Sequence, residues 1–248
     1  MDSASSEIAS YAVGKCDDYL VESFRHHVIE PWSRRRAEQF FLAFVAGIAD
    51  ATMPTADIQA TLTAILNDEA KTEVLFEAYR TVCLSKSKTV GPRAIGLLTA
   101  QIISEKRIAT GFEERWFEVY ESCTDFELAD LSEFYGDEFA KARGEKDEKY
   151  KIKFNHLVVE WARDDSNFKG DVDRSPLNLH EVLGSWAAKL ERLGMIRVEA
   201  EEKVWDYRED SERHIDEPGT ARRITYRLYL DLPDEEYAAL IRKAQPTA

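Results

Sequence analysis

The feature that most constrains this chain is a change in hydrophobic period partway along it. From about residue 16 to residue 142, apolar side chains recur every three or four positions; from about 195 to 230 they alternate. The first period buries one face of a helix and the second one face of a strand, so a single repeating architecture is excluded. The expected fold is mainly α: an N-terminal helical bundle over 1–148 and a C-terminal α+β domain over 149–248. The charged, glycine-containing segment Arg143-Gly144-Glu145-Lys146-Asp147-Glu148-Lys149 reads as the linker or as an exposed helix end.

Helices are predicted at about 16–30, 33–51, 55–67, 69–85, 91–108, 112–122 and 125–142. The second is the clearest, with Phe40, Phe41, Phe44, Val45 and Ile48 at helical spacing and Ser33 placed to cap it. Gly91-Pro92 opens the fifth, because a proline in the first turn loses no intrahelical hydrogen bond. Short connections between such helices imply an antiparallel bundle.

Beyond residue 150 the pattern differs. Leu179, Val182, Leu183, Trp186, Leu190 and Leu193 define one side of a helix over 177–193, and Gly194 stops it. A strand follows at 195–199, then a polar stretch from 206 to 220, a strand at 223–230 and a last helix at 233–243. A further helix is expected at about 154–163. The run Leu190-Glu191-Arg192-Leu193-Gly194-Met195-Ile196-Arg197, followed by two strands around a charged loop, resembles a winged helix-turn-helix module. The resemblance covers 150–248. It implies that 177–193 is a recognition helix, that 195–230 is the wing and that 154–163 is the supporting helix.

That resemblance directs attention to one surface. Asn178, Ser185, Lys189 and Arg192 lie opposite the leucines, with Glu181, and Arg222, Arg223 and Arg227 lie on the wing. Such side chains read base edges or grip phosphates, so these seven are the candidate DNA-binding residues. An ordinary solvated face of a protein-binding module fits the same residues. Winged-helix regulators commonly read two half-sites, which makes a homodimer plausible.

The stretch 111–140 holds ten Asp and Glu against Arg115 alone, interleaved with aromatics such as Phe112, Trp116, Tyr120 and Phe126. The expectation is a core-facing aromatic stripe with a solvated acidic face; the functional alternative is a docking surface for a basic protein. Arg34-Arg35-Arg36 point in three directions around a helix and read as solvated or internally paired charge.

No catalytic constellation, metal site or cofactor motif is apparent. His26 and His27 are adjacent and diverge; His156, His180 and His214 are isolated. Cys16, Cys83 and Cys123 are too far apart for a zinc knuckle and read as reduced thiols, which points to the cytoplasm. No run approaches 18 apolar residues, so no membrane span is expected. The net charge of −14 argues against a general polyanion binder, though not against a local basic patch. The expectation is a non-enzymatic regulator whose winged-helix-like domain binds DNA while the bundle mediates assembly or senses a partner. The alternative is a protein–protein interaction module that does not bind nucleic acid.

Overall fold

A computed structural model of the chain describes residues 31–49, 55–144, 150–153, 155–164, 176–206, 220–231 and 233–246. The helix expected over 16–30, with Cys16, His26 and His27, lies outside the described residues, as does most of the polar stretch 206–220 with His214. The fold is mainly helical, with a four-stranded antiparallel sheet. The chain divides into two compact units, residues 1–133 with 236–248 and residues 134–235.

The first unit contains α1 (Pro31–Ile48), α2 (Thr55–Leu66), α3 (Glu69–Leu84), α4 (Val90–Ser104), α5 (Gly111–Ser122) and the start of α6 (Asp125–Arg143). Most of α9 (Asp234–Ala244) also belongs to it. Helix α4 is apolar nearly all round and is buried accordingly: Ala94, Ile95, Leu98, Ala100 and Ile102 are fully inside. Helix α1 lies against it through Phe40, Phe41 and Phe44. Phe40 stacks on Phe44 at 6.0 Å between centroids and meets Phe41 edge-on at 4.9 Å. Each such ring contributes about 1.5–3 kcal/mol on burial. The close approach depends on Gly96, where an added Cβ would run into the Phe40 carbonyl oxygen and lie 3.0 Å from the Phe44 nitrogen. Because α1 begins at Pro31, Ser33 sits within its first turn and not at the cap expected of it.

The second unit contains the sheet, in the order β1-β2-β4-β3, made of β1 (Tyr150–Lys153), β2 (His156–Asp164), β3 (Ile196–Asp206) and β4 (Thr220–Asp231). One face buries Leu157, Val159, Ile196, Ile224, Leu228 and Leu230. Helix α8 (Ser185–Arg192) contributes fully buried Trp186, Ala187 and Leu190, and Trp186 lies 5.1 Å from the Phe134 ring.

Two sequence expectations are corrected here. Of the segment 154–163, expected as a helix, the residues from His156 on lie in strand β2, paired with β1 on one side and β4 on the other. Its apolar run Leu157-Val158-Val159 fits either period, and pairing on both sides decides for the strand. The helix expected over 177–193 is two helices, α7 (Leu179–Leu183) and α8, broken at Gly184 with φ 105° and ψ 172°. Only glycine adopts that backbone without strain. Gly194 acts as expected: at φ 68°, its N–H donates to the Glu191 carbonyl and that of Met195 to the Leu190 carbonyl, each at 2.9 Å. This double bond pattern closes α8.

Candidate functional site

The seven residues considered for DNA binding fall at the start of α7, on α8 and on β4. Asn178 caps α7, its side-chain oxygen accepting from the His180 N–H at 3.2 Å, on the far side of the Gly184 break from the others. Ser185, Lys189 and Arg192 do share one face of α8, at spacings of four and three. Arg192 is exposed in the last turn, where the helix dipole favours a cation. On β4, Arg223 and Arg227 occupy the same face of the sheet as Thr225 and Tyr229. Arg222 lies in register with Val204, and its side chain is outside the described residues.

Arg227 is held by carboxylates on both neighbouring strands. Its Nε donates to Glu160 at 3.0 Å and its Nη2 meets Glu201 at 2.6 Å. These bonds raise the Arg227 pKa, and the bond from Arg227 leads the causes that hold the Glu201 carboxyl below its ordinary value. The same face also pairs His156 with Asp231 at 2.9 Å, Arg197 with Glu199 at 3.4 Å and Lys203 with Glu201 at 3.7 Å. The Arg197 guanidinium lies 4.6 Å over the Tyr229 ring. Pairing across and along the strands thus balances much of the charge on this sheet face.

The acidic stretch 111–140 divides by role. Four of its carboxylates are structural. Buried Glu113 takes a two-pronged ion pair from Arg107, at 2.6 and 2.7 Å, and completes a capping box with Thr110. Burial alone would raise its pKa; the bonds from Arg107 and Thr110 outweigh that and lower it. Glu127 makes the equivalent box with Thr124. Glu138 pairs with Lys141 at 2.9 Å. Asp125 accepts from the Ser87 hydroxyl and the N–H groups of Lys88, Thr89 and Val90, so it closes the amino end of α4 from another helix.

The remaining carboxylates form the outer surface. Glu114 and Glu118 are exposed, and Glu121 is half-buried, at positions i, i+4 and i+7 of α5. The Glu121 carboxyl is pushed up, first by burial and then by Glu118, with Arg80 opposing. On α6, Asp130 is half-buried, and Glu133 and Asp137 are exposed. Among the aromatics, Trp116, Tyr120, Tyr135 and Phe139 are fully buried, as the stripe predicted. Phe126 breaks the pattern at 81% exposed, and Leu84 at the end of α3 is 65% exposed.

Of the arginine triplet, Arg36 turns inward and donates from Nε to the Ser87 carbonyl at 3.0 Å, while exposed Arg34 lies 3.6 Å from Glu38. Cys123 is buried and Cys83 half-buried, and among the described residues neither is in a disulfide. Among the described residues no cluster of His, Cys, Asp and Glu is arranged to hold a metal ion, and no helix is long and apolar enough to cross a membrane. Comparison with family models, curated proteins and solved structures found no match to the chain.

The capping boxes were legible as Thr-x-x-Glu at 110–113 and 124–127, a signal the sequence reading passed over in favour of net acidity. The part played by Asp125 carries no local signal, because its partners lie about 35 residues upstream.

Proposed function

We propose that this protein is a non-enzymatic interaction module that docks a basic protein segment on the acidic outer surface of α5 and the start of α6. The observation that carries the reading is the stripe Glu114, Glu118 and Glu121 on one side of α5, the first two exposed; Phe126, in the first turn of α6, is itself 81% exposed. Like charges at i and i+4 cost an isolated helix about 0.2–0.5 kcal/mol per pair. An external cation offsets that cost, and an exposed aromatic such as Phe126 is the kind of side chain that anchors interfaces. The net charge of −14 steers a basic partner toward the chain. The expected compartment is the cytoplasm.

A second reading is a winged-helix-like unit that binds duplex DNA. It is favoured by the order α8, β3, β4 and by Ser185, Lys189 and Arg192 on one helix face. The capture of Arg227 by Glu160 and Glu201 weighs against it, because a phosphate would have to displace two carboxylates already in place.

The discriminating experiment titrates the full chain with a lysine-rich helical peptide, its glutamate counterpart and mixed-sequence duplex DNA, at low and moderate salt. The docking reading expects the lysine peptide to bind, the binding to weaken with salt, and the other two ligands to be ignored. Binding of duplex DNA in place of the peptide, lost on Lys189→Ala and Arg192→Ala, would establish the second reading instead.

A further inference from the structure

Two helix starts in the first unit follow one four-residue plan. Thr110-Gly111-Phe112-Glu113 opens α5 and Thr124-Asp125-Phe126-Glu127 opens α6. In both, the threonine hydroxyl accepts from the glutamate N–H at 3.3 Å, and the glutamate accepts from the threonine N–H at 2.8 Å. Phe112 and Phe126 therefore hold the same place, second in their helices.

Their surroundings differ. Phe112 is covered: Tyr237 of α9 meets it edge-on at 5.4 Å, and the Arg115 guanidinium sits 5.1 Å above its ring. Tyr237 also stacks on Trp116 at 5.7 Å, its carbonyl accepts from the Tyr120 hydroxyl at 2.9 Å, and Arg242 in the last turn of α9 donates to the Ser132 carbonyl at 3.2 Å. A helix carrying one aromatic, with acids in its first turn and Arg242 and Lys243 in its last, is thus how the fold itself covers this position. Among the described residues no aromatic ring is seated on Phe126 in this way, and it is 81% exposed.

The ground around Phe126 sets the chemistry of what fits there. Phe126, Asp130 and Glu133 fall at i, i+4 and i+7, on one side of α6. Leu84, 65% exposed, ends α3 beside the junction where Ser85 donates to the Tyr120 carbonyl and the Lys86 N–H to that of Glu121. Exposed Lys86 and Lys88, on the segment bound by Asp125, place cations on that side and repel a partner's positive charges there.

We propose that Phe126 is the anchor for an aromatic side chain on a basic amphipathic helix of a partner protein, seated over the start of α6 as Tyr237 is seated over the start of α5. This deepens the docking reading above and rests on it. Charge brings the partner helix to the surface, and the ring fixes its register.

The test uses the full chain and two synthetic helical peptides of lysine and alanine, identical but for one central tyrosine or alanine, measured by fluorescence anisotropy. The tyrosine peptide is expected to bind on the order of fivefold more tightly than the alanine peptide, the contribution of one aromatic pair. Phe126→Ala is expected to abolish that difference and leave the alanine peptide unaffected, because the two changes report one contact. Phe126→Trp, which keeps an exposed ring, is expected to restore the difference. If both peptides bind equally to the native chain, or if the preference survives Phe126→Ala, the anchor is overturned while charge docking stands. If neither peptide binds, both readings fall. If Phe126→Ala instead dissociates a dimer of the native chain, the occupant is a second copy and the partner helix is overturned.

Discussion

Asp125, the first residue of α6, accepts the backbone N–H of Val90, the first residue of α4, at 2.8 Å. One carboxylate thereby serves two helix starts, its own dipole and the orphan donors of another. The same loop is also held by Arg36 through the Ser87 carbonyl, so α1, α4 and α6 converge on residues 85–90.

Replacing Asp125 with alanine should therefore destabilise the fold by about 1–2 kcal/mol at neutral pH. The cost should depend on pH. Burial raises the Asp125 pKa, but the bonds from Ser87, Val90, Lys88 and Thr89 outweigh it and hold the carboxyl below its ordinary value. A carboxyl lowered in the folded state stabilises above its unfolded pKa, about 3.9, and that stability is lost as pH falls through the folded value. Urea unfolding should show the gap between native and Asp125→Ala protein at full size at pH 6 and shrinking below about pH 4. A gap independent of pH would mean the carboxylate is not the capping group.

Gly96→Ala should be among the costliest single changes in the first unit. A methyl group there meets backbone atoms of Phe40 and Phe44, which do not rotate away, so α1 must move off α4. Overpacking of this kind costs about 1–3 kcal/mol. The check is the thermal midpoint of Gly96→Ala against Gly111→Ala, where an added Cβ meets nothing within 4 Å. Equal midpoints would contradict the close helix crossing.

Gly184→Ala should weaken the second unit by about 1–3 kcal/mol, because φ 105° with ψ 172° is open to glycine alone. If alanine is tolerated there, 177–193 adopts the continuous helix that its leucine spacing suggested. Hydrogen exchange of the Leu183 to Ser185 amides would distinguish the two.

These three sites show what the sequence revealed and what it did not. The phenylalanines of α1 and the apolar run of α4 announced a buried helix pair, and Gly194 announced the end of α8, because each signal lies within one turn of its effect. The strand over 156–164 was hidden, since Leu157-Val158-Val159 suits either period until partners appear on both sides. Gly184 was readable as a breaker and was outweighed by the leucines around it. The inward roles of Glu113 and Asp125 within a run of ten acids, and the outward turn of Phe126 within a run of buried aromatics, depend on tertiary contacts that residue type does not encode.

The docking account is tested most directly by reversing the surface charge. The double variant Glu114→Lys, Glu118→Lys lies on exposed positions of α5 and should leave the fold intact by circular dichroism. Titrated beside the native chain with a lysine-rich helix and its glutamate counterpart, the variant is predicted to lose the first ligand and gain the second. Unchanged binding of the lysine helix to a folded double variant would contradict the claim that the outer face of α5 is the docking surface.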